Sequence, residues 1–174
     1  MRIGPPGDSG PPPPLLAEMV REHLGKGRRI SLRTGGLSMI PLLPPGVLLT
    51  LRPLDPGEVP GPGSLVALVV QDHLVCHLLR DRRKTPSGTE IQTAGLLPDH
   101  PDPWTDVSEV LGIVCEVRLG SRALPVSSEA FRAWQTLARQ LAPSLRVLKR
   151  GLRLLVPPGI RRRVYRLLAT PFGS

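Results

Sequence analysis

The residues of this chain that could act together in catalysis are one serine on a tightly turned segment, four histidines, and three aspartates on one loop. Ser38 follows two glycines, and Pro41 three residues later bars a regular helix. Pro-Pro-Gly at 44–46 then predicts a turn. A serine on exposed, tightly turned backbone is a candidate nucleophile, although the same pattern also fits an ordinary loop serine.

A serine hydroxyl becomes an effective nucleophile only when a base takes its proton. The candidate bases are His23 in a predicted helix, His73 and His77 around an apolar strand, and His100 beside the aspartates. A histidine inside a buried strand, as predicted for His77, needs a polar partner there. It is therefore either a satisfied core residue or a catalytic base, and the residue types alone leave both interpretations open.

The two cysteines give no sign of metal or redox chemistry. Cys76 and Cys115 both lie in apolar runs, and neither has the CxxC spacing of a metal site. We interpret them as buried thiols that pack as small hydrophobic residues. We predict no metal site and no cofactor.

The composition predicts one small domain with appendages. The chain has 174 residues, of which 22 are proline and 18 glycine, roughly twice the usual share. This favours short strands joined by many turns. We predict a disordered Pro/Gly-rich leader over residues 1–14, a β domain over 15–120, and a basic amphipathic helical tail over 121–174.

Within the predicted β domain, apolar periodicity indicates one short helix and a series of short strands. Arg80–Ser87 is predicted to be a charged turn, and residues 95–106 an irregular loop. Short strands spaced by Gly/Pro turns favour a mainly β fold, either a small coiled antiparallel sheet or a barrel. The helix is predicted at Leu15–Leu24, and the strands at Arg29–Arg33, Val47–Leu51, Leu65–Val70, Leu74–Leu79, Thr89–Thr93 and Leu111–Val117.

The basic excess of the chain belongs entirely to the tail. Residues 1–129 have a net charge of −1, whereas residues 130–174 hold ten cations and no acids. Ser127 or Ser128 is expected to cap a helix that runs to about Leu141, and Pro143 to start another. Leucines at helical spacing among arginines allow packing on the body, nucleic-acid binding, or docking on an anionic membrane. Nucleic-acid binding has no recognisable motif here and few aromatics on which bases could stack. We favour the membrane, because an apolar stripe flanked by arginines needs covering, namely Leu145, Leu148, Leu152 and Leu155.

The sequence also bears on the location of the protein. Its apolar runs are too short to span a bilayer, and Met1-Arg2-Ile3-Gly4 leads into proline rather than into a secretory hydrophobic segment. We expect a cytoplasmic protein that makes peripheral contact with the inner face of the membrane through its tail.

The order of these pieces resembles the type I signal peptidase superfamily, which includes the LexA-type self-cleaving proteases. The family pattern is roughly G-x-S-M-x-P, P-G-D, G-D with a strand, H-R-V or K-R-V, K-G-D, an aspartate, and V-x-G-x-V. The matching segments span about residues 32 to 118: Gly36-Leu37-Ser38-Met39-Ile40-Pro41, Pro45-Gly46, the strand with His77, Gly95, Asp102 and Val110-Leu111-Gly112-Ile113-Val114.

The resemblance implies a serine endopeptidase that acts on a peptide or protein substrate. Ser38 matches the nucleophile and His77 the general base, which is histidine in one branch of the family; no lysine lies between Lys26 and Lys84. An aspartate further on orients the imidazole in that branch. Asp102 matches it best, with Asp99 and Asp106 as rivals.

Several of the acidic residues in the family pattern are absent from this sequence. Its Pro-Gly-Asp is Pro45-Gly46-Val47 here, and its Gly-Asp is Gly63-Ser64. The residues after the base differ too, since His77 is followed by Leu78-Leu79. These departures leave open a catalytically inactive relative that binds peptides without cutting them.

Overall fold

A computed structural model of the chain describes residues 13–98 and 100–155. Within these residues the chain forms two α-helices, eight β-strands and one short 3₁₀ helix. In chain order they are α1 (Pro13–Gly25), β1 (Ile30–Arg33), β2 (Leu48–Arg52), β3 (Leu65–Val70), β4 (His73–Thr85), β5 (Gly88–Ala94), β6 (Thr105–Asp106), the 3₁₀ helix (Val107–Glu109), β7 (Gly112–Leu119), β8 (Arg122–Pro125) and α2 (Glu129–Leu155).

The eight strands form one antiparallel sheet. Seven of them follow the order β1-β2-β7-β3-β4-β5-β6, and β8 pairs with the second half of β7, from Glu116 to Leu119. The predicted mainly β, antiparallel fold with an N-terminal and a C-terminal helix is confirmed. The barrel alternative is wrong, because the sheet is not closed. A barrel needs long edge strands that pair with each other, and the edge strand β6 has only two residues.

The central strands are buried on both faces, which explains why they are continuous apolar runs rather than alternating ones. On one face, α1 and α2 cover the larger core with Val20, Leu24 and Phe131. On the other face, a smaller core contains Val66, Leu68, Val75, Leu79, Ile91, Val110 and Ile113. Successive residues of β4 contribute to opposite faces, so the strand can hold a core residue and a functional residue side by side.

The segment predicted as a charged turn is instead the exposed half of β4. The pairing of β4 with β5 continues to Thr85, opposite Gly88. Arg83 stands directly across from Glu90, and its Nε donates to a glutamate oxygen at 2.7 Å. The Arg83 guanidinium also lies 4.3 Å from the centre of the Trp104 ring. Cross-strand pairing of charged side chains thus extends the hairpin beyond its apolar part.

An ion pair fixes the loop that follows β2. Both terminal nitrogens of Arg52 donate to the Glu58 carboxylate, at 2.7 and 2.6 Å. The N–H of Asp55 donates to the same carboxylate at 2.9 Å. A bidentate arginine–carboxylate pair restricts a loop more than a single ion pair does.

The C-terminal region differs from its prediction in two ways. The sheet continues past residue 120, since β8 pairs with β7 up to Pro125. Ser128 caps α2 as predicted, with its Oγ accepting from the N–H of Phe131 at 3.2 Å, but the helix runs through Pro143 without a break. No helix in the described ranges is long and apolar enough to cross a membrane. The predicted leader up to residue 12 and the tail beyond residue 155 lie outside the described residues.

Candidate active site

Ser38 lies on a loop between β1 and β2 that is pinned at its base by Thr34. The Thr34 hydroxyl donates to the Pro44 carbonyl at 2.7 Å and accepts from the N–H of Val47 at 3.0 Å. Its backbone N–H and carbonyl bond to Val47 and Gly46. Gly46 has a φ of +89°, as expected for the glycine of the predicted turn. The loop is therefore closed by one buried threonine.

Apolar side chains hold the serine loop against the body. Met39, Leu42 and Leu43 are completely buried, whereas Ser38 is only half-buried. The indole Nε1 of Trp134 on α2 donates to the Leu42 carbonyl at 3.2 Å. Burial of the residues after Ser38 leaves the serine itself at the surface of the core, with a fixed backbone.

The carbonyl of Ser38 is anchored to the segment that follows β5. It accepts hydrogen bonds from the N–H groups of Leu96 at 2.8 Å and Leu97 at 2.9 Å. The carbonyl of Leu96 in turn accepts from Nε of Arg146 on α2 at 2.9 Å. The peptide group between Leu96 and Leu97 thus links the Arg146 guanidinium to the carbonyl of Ser38. Hydrogen bonds in such a chain polarise one another.

Gly95 makes this anchoring possible because it leaves room for the serine loop. A Cβ at Gly95 would lie 2.9 Å from the carbonyl oxygen of Ser38 and 2.8 Å from Cδ of Pro98. Both distances are shorter than van der Waals contact, and neither neighbour is a flexible side chain. Only glycine fits this position without a shift of the backbone.

His77 lies on β4 between Cys76 and Leu78, and its side chain is 5% exposed. Its Nε2 lies 3.1 Å from the Ser38 hydroxyl, and its Nδ1 lies 2.6 Å from Oδ2 of Asp102. A carboxylate accepts hydrogen bonds only, so we assign the proton to Nδ1. Nε2 is then the acceptor that faces the serine hydroxyl, which is the tautomer that a general base needs.

Asp102 is held by Thr93, a residue that the sequence analysis did not single out. The Thr93 hydroxyl donates to Oδ2 of Asp102 at 2.6 Å, and the N–H of Asp102 donates to the Thr93 carbonyl at 2.8 Å. Partial burial alone would raise the pKa of Asp102, but the hydrogen bond and charge of His77 and the hydrogen bond of Thr93 outweigh it and lower that pKa. Asp102 is thus a carboxylate that can balance a charged imidazole.

The other predicted candidates lie elsewhere or take different roles. Asp106 accepts from the N–H and hydroxyl of Ser108 and caps the 3₁₀ helix. Asp99 lies outside the described residues. The ring of His23 bonds to the Met19 carbonyl on α1. Burial raises the pKa of the Cys76 thiol to about 12, so this cysteine beside the histidine is not a nucleophile.

Ser38, His77 and Asp102 line one cleft of about 500 Å³. Two further histidines border it, His73 on β4 and the exposed His100. The remaining lining residues are mostly apolar: Val70, Gln71, Val75, Pro98, Pro101 and Pro103. A bound chain would therefore meet apolar walls together with several polar side chains, which include Gln71 and the two further histidines.

The arrangement can transfer a proton from a serine to a histidine that is backed by a carboxylate. Nucleophilic acyl transfer is a reaction that uses these three groups in this order. Within residues 13–98 and 100–155, no group of three His, Cys, Asp or Glu side chains is placed to hold a metal ion. Comparisons with protein-family models, curated proteins and solved structures find no match to this chain.

Proposed function

We propose that this protein is a serine endopeptidase in which Ser38 is the nucleophile, His77 the general base and Asp102 the residue that orients the base. The observation that supports the proposal is the continuous hydrogen-bonded series from the Ser38 hydroxyl through both nitrogens of His77 to Asp102. The three residues come from two loops and one strand, and the two hydrogen-bonded pairs are 39 and 25 positions apart, so their meeting is not a local coincidence.

The proposed reaction is acyl transfer in two steps. Nε2 of His77 takes the proton of Ser38 as the serine oxygen attacks a peptide carbonyl, and the resulting imidazolium gives that proton to the leaving amine. Water then attacks the acyl-enzyme with His77 as base again, and release of the acid restores the serine. Backbone N–H groups beside Ser38 would stabilise the oxyanion in both steps.

We further propose that the fold is of the signal peptidase type. The order of a serine loop, a strand with the base and a loop with the aspartate supports this assignment, as does the open antiparallel sheet. β5 pairs with β4 only from Leu78 onward, so the stretch His73–Cys76, which includes the cleft residues His73 and Val75, has no β5 residue opposite it. An extended peptide could lie beside this part of β4.

The test is hydrolysis of a mixed peptide library by the purified protein, followed by mass spectrometry. We expect internal cleavage by the parent and none by Ser38→Ala, which should keep the fold because Ser38 is only half-buried. Ser31→Ala, which alters an exposed strand serine bonded to Thr50, is the matched control and should cleave normally. Binding of peptides by the parent without cleavage would favour the inactive alternative.

A second proposal concerns α2, which presents both apolar and basic residues to solvent. Leu137, Leu141 and Val147 are 45%, 43% and 70% exposed, and residues 130–174 contain ten cations and no acids. We propose that this surface docks on an anionic membrane, with the apolar side chains inserted and the cations on the head groups.

Co-sedimentation with vesicles tests the membrane proposal. Binding to phosphatidylserine-containing vesicles should weaken as salt rises, and Leu137→Ser/Val147→Ser should reduce it. The matched control is Leu15→Ser, which alters an exposed leucine on α1. Equal binding to neutral and anionic vesicles, or equal binding by all variants, would contradict the proposal.

A further inference from the structure

The hairpin between β3 and β4 has an unfavourable turn at its tip. Val70 pairs with His73, which leaves Gln71 and Asp72 as a two-residue turn. Their φ angles are +48° and +60°, and no other non-glycine residue in the described ranges has a positive φ. Two-residue turns with both central residues left-handed strongly favour Asn-Gly, and glutamine is a poor residue for this conformation.

The strained turn lies at the cleft rather than at a remote surface. Val70, Gln71 and His73 line the cleft that contains Ser38 and His77, whereas Asp72 does not. His73 and His77 are four residues apart on one strand, which places them about 13 Å from each other. An extended peptide beside β4 therefore covers about four residues between the catalytic centre and the hairpin tip.

The tip also changes the chemistry of the cleft at that end. Between His73 and His77, the β4 residue that lines the cleft is the apolar Val75, and Pro98 and Pro103 are also among the lining residues. Gln71 is exposed and makes no side-chain hydrogen bond within the described part of the chain. Its amide offers both donors and an acceptor. Backbone strain that persists at a ligand site is often maintained because of function.

We propose that Gln71 is a specificity-determining residue, which hydrogen-bonds a neutral polar side chain (Asn, Gln, Ser or Thr) of an extended peptide about four residues from the bond at Ser38. The inference deepens the proposed function, but it concerns peptide binding and does not require cleavage. The strained turn holds the glutamine amide at the end of an apolar cleft, so that one polar substrate residue is recognised beyond apolar neighbours.

The experiment compares Gln71→Gly with Asp72→Gly in the full chain carrying Ser38→Ala, so that bound peptides are not consumed. Each glycine relieves the same kind of backbone strain, and each should raise the Tm by about 2–4 °C. Only Gln71→Gly removes a side chain from the cleft. The probes are capped, fluorescently labelled octapeptides in which Asn replaces Leu at one position at a time.

We expect one position at which the Ser38→Ala protein binds the Asn peptide about 3–10-fold more tightly than its Leu counterpart. Gln71→Gly should abolish this preference, and Asp72→Gly should retain it. The proposal is overturned if no position prefers Asn, if Gln71→Gly keeps the preference, or if both glycine variants lose it. Failure of the parent to cleave any peptide would refute the proposed peptidase activity without affecting this comparison.

Discussion

Gly95→Ala should disable the proposed site by displacing the serine loop, without altering any of the three proposed catalytic side chains. The added Cβ would lie 2.9 Å from the Ser38 carbonyl oxygen, whereas favourable carbon–oxygen contact begins near 3.4 Å. The loop must therefore retreat by about half an ångström. Such a shift strains the hydrogen bonds from Leu96 and Leu97 and lengthens the 3.1 Å contact between Ser38 and His77.

Two effects of Gly95→Ala can be estimated separately. Overpacking of this kind costs about 1–3 kcal/mol of the free energy of unfolding. Misplacement of the nucleophile by a fraction of an ångström lowers its reaction rate by about 10–100-fold. Urea unfolding measures the first effect. The rate of covalent labelling of Ser38 by a fluorophosphonate, corrected for the folded fraction, measures the second without knowledge of the natural substrate.

Gly112→Ala is the matched control for steric strain. Its Cβ would lie 2.7 Å from both the Arg52 carbonyl oxygen and Leu24 Cδ1, so it should also cost about 1–3 kcal/mol. Gly112 does not line the cleft, and the folded fraction of this variant should be labelled at the parental rate. Parental labelling of Gly95→Ala, or equal slowing of both variants, would refute the account of how Ser38 is positioned.

Three further predictions concern the charged and titrating groups. His77→Ala should slow labelling of Ser38 by about 100-fold or more because it removes the base, whereas His73→Ala should leave the rate within a few-fold of the parent, and the reverse would refute the assignment. Asp102→Asn should slow labelling by about 100-fold or more, and an equal effect of Asp106→Asn would indicate only general electrostatics. Hydrogen bonds from Arg52 lower the pKa of Glu58 from 4.5 to about 2. The contribution of this ion pair to the free energy of unfolding is therefore present above pH 4.5 and lost as the pH falls toward 2. Glu58→Gln should flatten that part of the acid unfolding curve, and an unchanged curve would contradict the ion pair.

Sequence reasoning succeeded where residue order and periodicity determine the structure. Apolar runs predicted the central strands, and Ser128 was one of two predicted caps for α2. The serine, histidine and aspartate that the structure brings together were selected because the order of the motifs resembles that of the signal peptidase superfamily. The order of motifs can be read directly from a sequence. The catalytic role of Ser38, His77 and Asp102 stays a prediction.

Other features depend on register and backbone conformation, which the sequence states only indirectly. The charged half of β4 is a strand because Arg83 faces Glu90 across the hairpin, and that register is set by the turn. Thr93 supports Asp102 because strand alternation places it on the same face as Ile91. The sequence signal for this role was the position of Thr93 two residues after Ile91, which places a polar residue on the buried face of β5. The strain at Gln71 is visible only in its φ angle.

The helix α2 shows how tertiary contacts override local rules. Proline inside a helix removes one hydrogen bond and usually ends or kinks it. Here the helix continues past Pro143, and side chains on both sides of that residue are bonded to the body, Gln135 to the Gly63 carbonyl at 2.8 Å and Arg146 to the Leu96 carbonyl at 2.9 Å. No propensity scale contains these contacts.

The most direct test of the central claim is the site of covalent labelling by a fluorophosphonate probe. The purified protein is treated with the probe, digested and mapped by mass spectrometry, alongside heat-unfolded protein and Ser38→Ala. The account predicts a single phosphonylated serine, Ser38, in the folded parent and no labelling of either control. Labelling of another serine, or an unlabelled Ser38 in folded protein, would contradict it.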